Sequence, residues 1–180
     1  NRLYQLLQTD PSASVLSNHV LGKPIRVEYK QIIAGAMMET LAADVLVANG
    51  KTAEAMNTYQ RALKVYPQHR ALSHGYARTL IQNKKPQVAL EFINNQLQFI
   101  QNDAQLFGLQ AQCYELLGDK MLEHRAQAEV YFHKGHYGAA IDQLKTALQN
   151  DNGNFYQLSS IEARLKQLQT LKSDEEKSEK

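Results

Sequence analysis

The chain has 180 residues, 43% of them hydrophobic, and its 20 Lys and Arg against 18 Asp and Glu leave a formal net charge of +2. That apolar share suffices for a core, while the charge is too small for the clustered basic footprint of a nucleic-acid binder. The single cysteine, Cys113, excludes an internal disulfide and a cysteine zinc cage, and the longest uncharged apolar stretch, Gln31 to Met38, is too short to span a bilayer.

In chain order, residues 1–35 read as an irregular helical segment. Leu3, Leu6 and Leu7 suggest a turn or two of helix. Asp10 before Pro11 has the form of an N-cap followed by Pro at the first helical position. Gly22 and Pro24 mark a break, and a helix is expected to run from Pro24 into the next segment. The chain opens on Asn1 with no visible signal peptide, so it reads as a mature product or as a fragment cut from a longer protein.

Residues 36–150 read as a repeat array. Gly50, Gly118 and Gly135 each follow one apolar-periodic run and precede another. After Gly50 come Ala55, Tyr59, Ala62 and Pro67; after Gly135 come Ala140, Leu144 and Ala147. A tight corner, a small residue, a large apolar one and another small one are what two closely packed antiparallel helices require. Pro67 stops the second helix. With Ala36 as position 1, Ala43, Leu46, Gly50, Ala55, Tyr59 and Ala62 fall into frame. A second frame begins at Arg70 with Ala77, Leu80 and Ala89; Lys84 replaces the corner Gly, and Pro86 opens the second helix. A third begins at Ala104 with Phe107, Ala111, Tyr114 and Gly118.

The register then changes. Gly135 places the next frame at Met121, half a repeat after Ala104. The helix from about Lys120 to Lys134 must therefore close one repeat and open the next, and the superhelix is expected to bend near Gly118. Residues 150–154 read as a loop. Beyond it, Phe155, Leu158, Ile161, Leu165 and Leu168 form one apolar face of a capping helix over 155–171. The charged stretch 172–180 reads as a disordered tail.

These spacings over residues 36–150 resemble tetratricopeptide repeats, helix–turn–helix units of about 34 residues. The resemblance implies an all-α fold, antiparallel helix pairs stacked as a short superhelix, and a non-catalytic protein-protein interaction module. A narrower resemblance rests on Leu122-Glu123-His124-Arg125-Ala126-Gln127-Ala128-Glu129-Val130-Tyr131-Phe132-His133-Lys134-Gly135, followed by Ala140 to Lys145, Phe155-Tyr156-Gln157 and Ile161 to Leu165. Together these look like the C-terminal repeat domain of bacterial zinc metalloproteases of the barrel-assembly-enhancing type. That likeness implies a periplasmic location, a role in outer-membrane protein quality control, and partners among the barrel-assembly machinery or outer-membrane protein clients. The family's zinc-binding His-Glu-x-x-His is absent from this chain, so zinc would belong to a catalytic domain outside it, and this chain is expected to carry no enzyme activity, metal or cofactor. A free-standing scaffold in secretion or pilus assembly is the alternative. A helical-repeat RNA binder is disfavoured by the near-neutral charge.

No catalytic constellation competes with this reading. His133 and His136 flank Gly135 and belong on different helices, and Cys113 sits among packing positions. What remains is surface. By the family's pattern the first helix of each pair lines a concave groove. In the second frame this offers Ala71, His74, Arg78, Ile81 and Gln82; in the third, Gln105, Gly108, Gln112, Glu115 and Leu116. The candidate peptide- or protein-binding residues are His74, Arg78, Gln82, Gln105, Gln112 and Glu115. Amide side chains pair well with an extended peptide backbone. His74, Arg78, Gln82 and Gln112 are expected to form the central contact strip.

Overall fold

The computed structural model describes residues 25–150 and 153–178. The expectations placed on Leu3, Leu6, Leu7, Asp10-Pro11 and Gly22 lie outside these residues. Eight helices, and no strand, occur among the described residues: α1 (Ile25–Ala48), α2 (Thr52–Val65), α3 (Arg70–Gln82), α4 (Pro86–Leu97), α5 (Ala104–Leu117), α6 (Lys120–His133), α7 (Tyr137–Leu148) and α8 (Phe155–Ser178). Each packs against the next, and α1 also touches α3, as α3 touches α5. This is the all-α stack of antiparallel pairs expected from the repeat spacing. Pro24, where a helix is expected to start, also lies outside the described residues; from Ile25 onward α1 runs continuously into the first repeat.

One corner recurs four times. Gly50, Gly118 and Gly135 adopt left-handed backbone with φ of 74°, 79° and 77°, and Lys84 joins them at φ 56°. At each corner the residue after the left-handed one donates its backbone N–H to the carbonyl five residues before it: Lys51 to Leu46, Lys85 to Leu80, Asp119 to Tyr114 and His136 to Tyr131, at 2.9–3.0 Å. This is the closure that lets a helix end and reverse with its last carbonyls satisfied. Corners 50, 84 and 118 follow the repeat length; corner 135 comes at half that interval. Since α6 has such a corner at both ends, it is the second helix of one hairpin and the first helix of the next, as the register change requires.

The helix starts are equally local. Asp103 caps α5, its Oδ1 accepting from the N–H groups of Gln105 and Leu106 at 3.0 and 3.1 Å. Asp119 caps α6 through the N–H of Leu122. Asn154 and Gln157 cap α8 reciprocally, each side chain accepting from the other's backbone N–H at 3.0 Å. Pro86 opens α4, where a missing N–H costs nothing.

The small residues of the frames sit where helices meet. Ala36, Ala43, Ala55, Ala62, Ala77, Ala89, Ala128, Ala140 and Ala147 are all buried. Tyr59 of α2 is fully buried against α3, and only the absence of a side chain at Gly75 admits it: a Cβ there would fall 2.5–2.7 Å from the Tyr59 ring and hydroxyl. The buried apolar residues form two clusters. One runs from Ala36 to Cys113; the other begins at Met121 and ends at Leu168. The division falls at the Gly118-Asp119 corner, and past it α7 has no packing on α5 comparable to that of α3 on α5.

Two expectations for the C-terminal helix need correction. Ile161 and Leu168 are fully buried, and Leu158 and Leu165 pack against the same cluster, but Phe155 is 77% exposed. Phe155 is the first residue of α8 and stands in solvent beside Tyr156. The segment read as a disordered tail continues α8 through Ser178. It contains no Gly or Pro, and the pairs Lys172–Glu176 and Lys177–Asp174 lie at helical spacing.

Candidate protein-docking cleft

The predicted contact strip separates into three environments. His74 is turned inward: its side chain is 14% exposed and its Nε2 lies 2.9 Å from Oδ2 of Asp103, which is itself 4% exposed. Arg70 Nε approaches the same oxygen at 3.6 Å. His74 thus ties α3 to the cap of α5 rather than standing free for a ligand. Its partner lies 29 positions away, beyond the reach of any helical periodicity. Ile81 is buried in the core and also leaves the groove.

Arg78, Gln82 and Gln105 are exposed, and their side chains make no hydrogen bond or ion pair among the described residues. Arg78 lies near enough to Tyr59 to favour ionisation of its hydroxyl, but burial dominates and, together with the hydrogen bond Tyr59 donates to Asp44, holds that hydroxyl well above the ordinary tyrosine value.

Gln112 and Glu115 belong to a concave feature of about 220 Å³. Its walls are α5, contributing Gly108, Ala111, Gln112 and Glu115, and α7, contributing Gln143. Between them α6 supplies Glu123, His124 and Gln127. The cleft opens where α7 departs from α5. A Cβ at Gly108 would meet only Val130, at 3.9 Å, so the packing around α5 leaves room there. His124 Nδ1 donates to Gln143 Oε1 at 2.8 Å, joining α6 to α7 across the floor. Gln112 and Gln127 have no hydrogen-bond partner among the described residues, so their amides are free to donate and accept. Glu115 makes the cleft weakly acidic, since Lys120 already pairs with Glu123 at 2.8 Å. An open, polar, weakly acidic trough suits an extended segment with backbone N–H groups or basic side chains to offer.

Gln112 and Glu115 of this cleft are among the candidates read from the sequence, whereas Glu123, Gln127 and Gln143 are not. The double role of α6 was the available signal, because a helix shared by two hairpins exposes residues that a regular array would cover.

No group of three or more His, Cys, Asp or Glu among the described residues is arranged to hold a metal ion. His133 ends α6 and stacks on Phe107 at 5.3 Å, while His136 precedes α7 and is exposed. Cys113 is fully buried, and burial pushes its thiol up to about 11, the opposite of what a nucleophile needs. None of the helices in the described residues is long and apolar enough to cross a membrane.

A tetratricopeptide-repeat family profile matches residues 46–113, from the end of α1 to the middle of α5. Such repeats are protein-interaction scaffolds. Among solved structures the chain is similar to the crystal structure of MamA protein, at 14% identity and a TM-score of 0.47, over 78% of this chain and 85% of that one. No curated protein matches.

Proposed function

We propose that the chain is a non-catalytic docking scaffold that holds an extended, polar segment of a partner protein in the cleft between α5, α6 and α7. The observation that carries this reading is the pair of unengaged amides, Gln112 and Gln127, facing one open trough beside Gly108. On the sequence resemblance around residues 122–135, the scaffold is the docking domain of a periplasmic zinc protease acting in outer-membrane protein quality control. Its partners are then barrel-assembly subunits or unfolded outer-membrane β-barrel proteins.

The test measures affinity for a purified barrel-assembly subunit and for an unfolded outer-membrane β-barrel protein. Replacing both Gln112 and Gln127 by Ala is expected to weaken binding by roughly tenfold. The thermal melt should hardly move, because Gln112 is exposed, Gln127 is partly exposed, and neither side chain is bonded; such positions change stability by about 0.5 kcal/mol or less. Arg78→Glu, outside the cleft, should change affinity less. Full affinity in the double variant would move the interface elsewhere, and no binding of either protein would end the periplasmic reading.

A further inference from the structure

The α5–α6 hairpin has a second face. Residues 107, 110 and 114 of α5 and 122, 125, 126 and 129 of α6 turn away from the docking cleft and line another, open cavity of about 550 Å³, bordered by α4 on one side and by Arg164 of α8 on the other. That volume lies in the range of ligand-holding clefts. Its charges are two Arg and one Glu. Glu129 is already spent: Arg164 grips it in a fork, Nε to Oε1 at 2.8 Å and Nη2 to Oε2 at 2.6 Å, with the guanidinium lying 4.3 Å over the Phe132 ring. Arg125 is half-buried and has no hydrogen bond or ion pair among the described residues. A guanidinium withdrawn from part of its water and left without a partner is a standing site for an anion.

The rest of the lining narrows the kind of anion. Phe107 and Tyr114 give an aromatic wall and Gln98 an amide at the rim; burial raises the Tyr114 hydroxyl above the ordinary tyrosine value against the pull of the Arg125 charge. Glu129 and Arg164 neutralise each other, so Arg125 leaves the cavity one net positive charge, too little for a polyanion. One cation beside apolar and amide surface therefore fits a single carboxylate carried next to an apolar side chain.

We propose that this cavity is a second docking site, and that it takes an acidic segment of a partner protein, a Glu or Asp side chain pairing with Arg125 while a neighbouring apolar side chain lies on Phe107 and Tyr114. The two sites have opposite charge preference and are walled by opposite faces of the same two helices. The scaffold can then hold two segments at once.

The test titrates the chain with a capped hexapeptide of alternating Leu and Glu, followed by calorimetry and by amide chemical shifts. Its controls are the Leu and Lys counterpart and free glutamate. The acidic peptide should bind and shift α4, α5 and α6 resonances, while both controls should fail to do so. Arg125→Gln should weaken the acidic peptide by roughly tenfold, and Arg78→Glu should leave it unchanged. Arg125→Lys should restore part of the loss, since charge returns without the fork. No binding of the acidic peptide, equal binding of the Lys peptide or of glutamate, or full affinity in Arg125→Gln would each overturn the proposal.

Discussion

Asp103 should be the costliest polar residue of the array to remove. Its Oδ1 caps α5 by accepting from two backbone N–H groups, and its Oδ2 holds His74 of the preceding repeat. Losing a cap of this kind costs about 1 kcal/mol. Losing a buried hydrogen bond that involves a charged group costs about 1.5–3 kcal/mol. Arg70 is half-exposed at 3.6 Å and adds little. Asp103→Ala should therefore destabilise the chain by about 3 kcal/mol, an effect of roughly 6–12 °C in the melting temperature for a chain of this size. Asp103→Asn keeps the cap and should cost less than half as much, since Asn caps as well as Asp. His74→Ala should lose only the cross-repeat bond, and a double-mutant cycle of His74 with Asp103 should return its coupling. Urea titrations of the four proteins give all the terms. A cost for Asp103→Ala below about 0.5 kcal/mol, the range of an ordinary surface site, would refute the reasoning.

Lys84 occupies the left-handed corner that Gly fills in the other three, so Lys84→Gly should stabilise the chain by roughly 1 kcal/mol in a urea titration. Tyr59→Phe removes the hydroxyl bonded to Asp44 and should cost about 1 kcal/mol at neutral pH. Because the folded chain holds that hydroxyl above 10.0, the unfolded chain releases the proton first as pH rises. The contribution is therefore whole below about pH 10 and is lost above it, and the Phe variant should show a shallower alkaline decline in stability than the parent.

What the sequence made legible was whatever depends on neighbours along a helix or across one corner. The glycines at 50, 118 and 135, the alanines at 43, 55, 62, 77 and 89, and the half-repeat step before Met121 are all local constraints of close helix packing, and each could be read by counting. Lys84 was legible as the missing Gly, though not the backbone it would adopt. The candidate site was only half legible. Gln112 and Glu115 lie on the exposed face that the frame assigns them, but His74 was claimed by Asp103 from the next repeat, a pairing no periodicity encodes. The cleft residues His124 and Gln143 come from different helices, and their meeting depends on how far α7 swings from α5, a tertiary quantity. The final charged residues misled for a related reason: composition alone suggested disorder, whereas the spacing of Lys172 with Glu176 and of Asp174 with Lys177 favours the helix.

The break between the two apolar clusters also bears on how the chain comes apart. Among the described residues the two clusters meet through the hairpin around Gly118, so the halves need not open together, and segments with separate cores tend to exchange their amide protons as separate units. Cys113 belongs to the first cluster and is fully buried there, the only thiol in the chain. Its modification by a thiol reagent requires that cluster to open and is blind to the second. Labelling of the native chain is thus a clock for one half alone. Set beside a helix signal that averages both, it reads out in which order the repeats let go.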